Sequence, residues 1–142
     1  MRDITRNFIK SFVIISCILA LTACQTLDNK KRAKSFDEIL YEYTKFLRWG
    51  HFREITNFMT AEHRAASQDK VDSFSNIRIS SVNSTDWISD ETGNRLTGTV
   101  DIKYYVEDRA VVRKTKQQLV WVYDEEGKFW LLDSGLPALD TR

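Results

Sequence analysis

Leu96-Thr97-Gly98-Thr99-Val100-Asp101-Ile102-Lys103-Tyr104-Tyr105-Val106-Glu107 is the stretch that decides the fold. Leu96, Val100, Ile102, Tyr104 and Val106 share one side, while Thr97, Thr99, Asp101, Lys103 and Glu107 share the other. A period of two over so long a run predicts a strand with one packed face and one wet face. Such a strand needs partners, and the flanking sequence supplies them. Glu107-Asp108-Arg109 reads as a turn, and Val111 to Tyr123 as a second long strand. Asp124-Glu125-Glu126-Gly127 is a hairpin loop, and Phe129 to Asp133 returns as the last strand. Upstream, Asp90-Glu91-Thr92-Gly93-Asn94 is a turn, and Phe74 to Val82 is a strand with Ile77 and Ile79 on one side.

Before Asp69 the period is 3.6 instead of 2. Phe36, Ile39, Leu40, Tyr43, Phe46 and Leu47 form one continuous apolar stripe, which predicts a helix over Phe36–Trp49. Ser35 and Glu38 have the spacing of a capping box at its start, and Gly50 suits the left-handed residue that stops it. A second helix is expected from His51 to Met59, with Phe52, Ile55, Phe58 and Met59 inward. Thr60 would cap a third short helix through Glu62, His63 and Ala66. Helices first and an antiparallel meander afterwards give an α+β fold. The expected architecture is N-terminal helices packed in a strongly curved antiparallel sheet.

The first residues read as an address. Arg2, Arg6 and Lys10 precede an apolar run from Ser11 to Leu21, which has the length of a signal-peptide core and is short for a bilayer span. The run ends in Leu21-Thr22-Ala23-Cys24, which resembles the bacterial lipobox. That resemblance implies thioether attachment of diacylglycerol to Cys24, cleavage before it, and acylation of the new amine with palmitate-type chains. Residues 1–23 would then be a signal peptide, 24–34 the lipidated cysteine with a polar tether, and 35–142 the domain. Several buried acyl chains, at about 0.8 kcal/mol per methylene, would hold such a protein on a membrane permanently. In enteric-type bacteria an aspartate after the lipidated cysteine favours the inner membrane. Gln25 stands there, so the expected location is the outer membrane, on its periplasmic face. Lys30, Lys31, Arg32 and Lys34 are available to anionic headgroups, or to solvent.

Composition narrows the function classes. Loss of residues 1–23 would leave 119 of 142 residues, carrying 18 basic and 19 acidic side chains. That is one domain of nearly neutral charge, without the basic footprint of a nucleic-acid binder. Cys17 would leave with the signal and Cys24 would be consumed by lipid, so no disulfide, thiol nucleophile or cysteine metal site is expected. His51 and His63 are far apart in sequence, and no metal or cofactor motif is present.

The order of elements resembles the NTF2-like superfamily, which includes the SnoaL-like and ketosteroid-isomerase-like proteins. The residues carrying the resemblance are Tyr43-Thr44-Lys45-Phe46-Leu47-Arg48-Trp49-Gly50-His51-Phe52, a helix turning through glycine into another. The closing hairpin Gln118–Tyr123 to Lys128–Leu132 supports it. The resemblance implies a cone made by helices and a curved sheet, used by enzymes and by non-catalytic binding modules alike. An isomerase or cyclase of this kind needs a carboxylate or histidine base in an apolar pocket and a donor for the developing oxyanion. The candidates are Asp101, His63 and Tyr104, with Tyr105 and Arg113 behind them. Alternation puts Asp101 on the wet face of its strand, Tyr104 suits the core, and His63 stands between charged neighbours. His51 is accounted for by helix capping. Trp49, Trp87, Trp121 and Trp130 suit a pocket lining or a packed core equally. Arg113, Lys114, Lys116, Gln117 and Gln118 make one strand polar on both sides, as an exposed sheet face or a strand edge would be.

The expectation is a membrane-anchored lipoprotein whose domain binds a protein partner or a small apolar ligand without catalysis. The alternative is an isomerase- or cyclase-type enzyme acting on a small apolar substrate. A third option is a homodimer joined through the outer face of the sheet.

Overall fold

The computed structural model describes residues 28–109 and 111–142. The stretch expected to be a signal peptide, with Cys17, the lipobox-like Leu21–Cys24 and the expected lipidation site Cys24, lies outside the described residues. The compact unit that carries the sheet runs from Phe36 to Arg142.

Residues 28–49 are helical and are termed α1. The helix therefore does not begin at a Ser35 capping box. Ser35 sits within it and donates its hydroxyl back to the Arg32 carbonyl, 3.0 Å away, as serine does in a helix interior. The polar stretch expected as an irregular tether is helical from residue 28 because Lys, Arg and Ala are strong helix formers and no Gly or Pro interrupts them. Gly50 ends the helix as expected, with φ +71°. Its N–H donates to the Leu47 carbonyl at 3.1 Å, and the His51 N–H to the Phe46 carbonyl at 2.9 Å. That pair of bonds is the Schellman termination.

The second helix is shorter than its apolar pattern suggests. α2 spans Phe52–Ile55 and tightens into a 3-10 turn at Thr56–Phe58. Arg64 reaches back over this turn and donates to the Thr56, Asn57 and Met59 carbonyls at 3.0–3.2 Å. Carbonyls at a helix end lack the full set of intrahelical donors, and Arg64 supplies donors here, at Thr56 beside the Met59 N–H. α3 is longer than expected, running Ala61–Val71 before a 3-10 turn at Asp72–Phe74. Thr60 stands at its N-cap position, but its hydroxyl makes no cap bond and is buried without a partner among the described residues.

Five strands follow among the described residues: β1 Ile77–Ser84, β2 Ile88–Ser89, β3 Arg95–Val106, β4 Arg113–Asp124 and β5 Phe129–Leu132. All pairs are antiparallel, in the order β1-β3-β4-β5, with β2 attached to β3. Phe74 belongs to the turn before β1, and Val111 and Val112 precede β4 as exposed residues instead of starting it. The short β2 has no counterpart in the sequence reading. The sheet is strongly curved and the helices pack in it, so the architecture is the α+β cone.

The alternation in β3 matches the burial. Val100, Ile102, Tyr104 and Val106 are buried, and they meet Phe36, Tyr43 and Leu47 of α1, Ile77 and Ile79 of β1, and Leu119, Trp121, Trp130 and Leu132 of the closing hairpin in one core. The register pairs Ile102 with Thr115 and Tyr104 with Arg113. Thr115, Arg113 and Gln117 thus share the inner face, while Lys114, Lys116 and Gln118 lie outside. The C-terminal segment explains why this strand can be polar on both sides. Gln117 donates to the Gly135 carbonyl at 3.1 Å, and Arg113 to the Asp140 and Arg142 carbonyls at 3.1 and 2.6 Å. The edge of β4 that β5 leaves uncovered is therefore bordered by residues 133–142, with Leu136 and Leu139 buried beneath.

Candidate functional site

The interior of the cone is where a fold of this shape would keep a ligand. Aromatic side chains fill it. Phe36 is the hub: its ring centroid lies 5.1 Å from Trp87, 6.1 Å from Trp121 and 5.3 Å from Trp130, all edge to face. Tyr43 stands edge-on to Trp121 at 5.6 Å, and Phe58 at 6.4 Å. Each such pair adds about 0.5–1.5 kcal/mol beyond the area it buries. Tyr43 and Trp121 are 0% exposed. Trp121 and Trp130 are thus core, Trp87 packs partly buried against them, and Trp49 is exposed.

Three donors inside this cluster have no hydrogen-bonding partner among the described residues: the Tyr43 hydroxyl and the indole N–H groups of Trp87 and Trp121. Burial pushes the Tyr43 phenol far above its ordinary pKa, so it stays protonated at any ordinary pH.

The acid–base candidates lie elsewhere. Asp101 is on the outer face of β3, opposite Lys116 in the register, with Oδ1 3.5 Å from the Lys116 ammonium. Both side chains are substantially exposed, so this ion pair contributes little. His63 is on α3, its Nε2 3.8 Å from Asp133, whose other oxygen is 3.4 Å from Arg95. This surface trio ties α3 to the ends of β3 and β5. Tyr104 is buried, but its hydroxyl accepts the Asp140 N–H at 2.9 Å and is taken up by the C-terminal segment. Arg113 is engaged by the same segment, through its carbonyls and the Asp140 carboxylate at 3.0 Å. Tyr105 alternates onto the outer face. The structure brings none of Asp101, His63 and Tyr104 together. His51 caps nothing with its side chain; its ring sits 3.8 Å from Glu54 and against Phe46.

The chain matches no protein-family model and no curated protein.

Among the described residues, no cluster of three His, Cys, Asp or Glu side chains is placed to hold a metal ion. No described helix is long and apolar enough to cross a membrane.

The sequence reading passed over one surface. Tyr41 and Trp49 fall off the apolar stripe of α1 and are 66% and 72% exposed. With Lys45 and Arg48 they border a depression against Ser80, Ser81 and Val82 of β1. The signal was legible in the helical period, which places large aromatics where a solvated helix has no use for them.

Proposed function

We propose that this chain is a lipoprotein, lipidated at Cys24 and held on the periplasmic face of the outer membrane, whose NTF2-like domain is a non-catalytic binding or assembly module for a protein partner. The observation that carries the non-catalytic reading is the filling of the cone. Phe36, Tyr43, Trp121 and Trp130 occupy the space in which an isomerase would hold its substrate. The carboxylate and the histidine that could act as base lie outside it, and Tyr104 is engaged by the C-terminal segment. A base acts only within hydrogen-bond reach of the proton it removes. The anchor rests on the leader and on Leu21-Thr22-Ala23-Cys24. Permanent tethering suits a module that works at a fixed place.

Mass spectrometry of the native protein tests the anchor. The expected species begins at Cys24 and carries acyl mass, and Cys24→Ser abolishes both the modification and the membrane fractionation. An unmodified chain still beginning at Met1 overturns the anchor and the location. The non-catalytic reading is overturned if the purified chain isomerises a small cyclic ketone and Asp101→Asn removes that turnover.

A further inference from the structure

Strand β5 pairs with β4 only over Trp121–Asp124, so the start of β4 has β3 on one side and no strand on the other. Which backbone groups face the open side follows from alternation. The Asp133 N–H donates to the Val120 carbonyl, on the β5 side, at 2.7 Å, and the Tyr123 N–H to the Asn94 carbonyl, on the β3 side, at 2.8 Å. Even-numbered residues of β4 therefore turn their N–H and C=O groups away from β3. Val120 is taken up by Asp133 and Ser134. Lys114, Lys116 and Gln118 are not: their backbone N–H and C=O groups on that side bond to no described residue, and these residues are exposed. The C-terminal segment passes this edge without pairing to it. It bends under the inner face, where Leu136 and Leu139 are buried and where the side chains of Gln117, Arg113 and Tyr104 hold it. Pro137, opposite the middle of the edge, has no N–H to offer. The open run from Lys114 to Gln118 is about 13 Å long at roughly 3.3 Å per residue. Val111 and Val112 precede it, 62% and 58% exposed.

The outer side of the same edge is basic. Lys114 stands directly opposite Lys103 in the register, and Lys116 opposite Asp101. Only the second pair is compensated, at 3.5 Å. Neither Lys103 nor Lys114 has an acidic partner among the described residues. Like charges directly opposite each other across a ladder are destabilising. Asn83, Asp101, Lys103, Lys114 and Lys116 border a depression of about 420 Å³ on this face. A strand added beside β4 holds its outward side chains next to Lys114 and Lys116, where carboxylates meet the uncompensated charge. A lipid headgroup supplies charge but not the alternating donors and acceptors that the edge can bond. A second copy is the poorer occupant, because two such edges paired about Lys116 set lysine against lysine.

We infer that the open edge of β4 receives an extended segment of a protein partner as an added strand. The segment bonds to the backbone of Lys114, Lys116 and Gln118, sets carboxylates beside Lys103 and Lys114, and ends in an apolar residue against Val111 and Val112. This names the partner chemistry of the binding module and rests on that reading.

The test uses the full chain and a fluorescein-labelled peptide of about eight residues, glutamate alternating with threonine and ending in valine, followed by anisotropy and amide chemical-shift mapping. Shifts are expected on Lys114, Lys116 and Gln118. N-methylation of one alternate set of peptide amides weakens binding by about tenfold or more, and methylation of the other set is tolerated, because only alternate amides of an added strand face the edge. Lys114→Glu, at an exposed position, weakens binding by about fivefold or more. The inference is overturned if the peptide does not bind at about 1 mM, if the two methylated sets behave alike, if Lys114→Glu leaves the affinity unchanged, or if the shifts fall on Ile77–Val82. A dimer of the chain in analytical ultracentrifugation that protects the Lys114, Lys116 and Gln118 amides from exchange also overturns it. A photo-cross-linker at Lys114, run beside one at Trp49, separates the two possible failures. A partner trapped at Trp49 alone removes the β4 site and leaves the binding module standing. No partner at either position, with turnover of a small ketone, removes both.

Discussion

At the residue scale, Tyr43 is the side chain whose chemistry and surroundings agree least. Its hydroxyl is fully buried and has no partner among the described residues, so the ring contributes packing while the O–H costs desolvation. Tyr43→Phe should therefore be neutral or stabilising, by up to about 1 kcal/mol in chemical denaturation; a clear loss would mean that the hydroxyl is bonded in solution. The sign of its pH dependence is set by the raised pKa. The unfolded chain loses this proton near pH ~10 and the folded chain does not. Stability is thus full below that pH and falls above it, and Tyr43→Phe should remove that part of the alkaline loss. Asp90 works in the opposite sense. The Thr92 hydroxyl, at 2.8 Å, and the backbone N–H groups of Arg95 and Asn94 hold its pKa below the ordinary carboxylate range. Its contribution is present above pH ~3.9 and lost as pH falls through the folded value. Exchange of the Asn94 and Arg95 amides should quicken over that acid window, and Asp90→Asn should flatten the response.

At the element scale, close approaches fix what the strands can carry. A Cβ on Gly98 of β3 would run into the Trp87 ring, which packs partly buried against the core. The body of an indole cannot swing aside as a flexible chain end would. Gly98→Ala should cost about 1–3 kcal/mol, with a red-shifted tryptophan emission as Trp87 is displaced. Trp121 is the larger test of the packed interior. It touches Phe36, Tyr43 and Phe58 and is fully buried, so Trp121→Ala should cost about 3–5 kcal/mol and bring a small domain close to its unfolding threshold. A much smaller loss, measured by urea denaturation, would mean that the cone is looser than its contacts imply. The strand alternation was legible because a period of two survives in any sequence that packs one face. The start of α1 was not, because Ser35 and Glu38 have capping spacing whether or not the preceding turn is helical. Only the continuation through Lys30 to Lys34 shows that it is.

At the scale of the whole molecule, the C-terminal segment closes the structure. Leu136 and Leu139 are buried, and Tyr104, Arg113 and Gln117 all bond to its backbone. Ending the chain after Gly135 should cost on the order of 3–6 kcal/mol, from two leucines at about 1.5–3 kcal/mol each, read as a drop in thermal midpoint. An unchanged midpoint would show the segment to be ornamental. Its role was invisible in sequence because residues 134–142 carry no period. Their meaning lies in the bonds they make with strand residues 18 to 36 positions earlier.

Local pattern settled what repeats along the chain: the apolar stripe of α1, the glycine stop at Gly50, the alternation of β3 and the helices-then-sheet order. Those follow from periodicity and from the chemistry of single residues, which neighbours in sequence are enough to express. Tertiary structure alone decided that aromatic rings fill the cone, that Tyr104 and Arg113 serve the C-terminal segment, and that Trp49 and Tyr41 border a depression beside β1. Each of these depends on which distant side chain arrives at a given place, and burial and bonding across that distance are set by the folded chain as a whole.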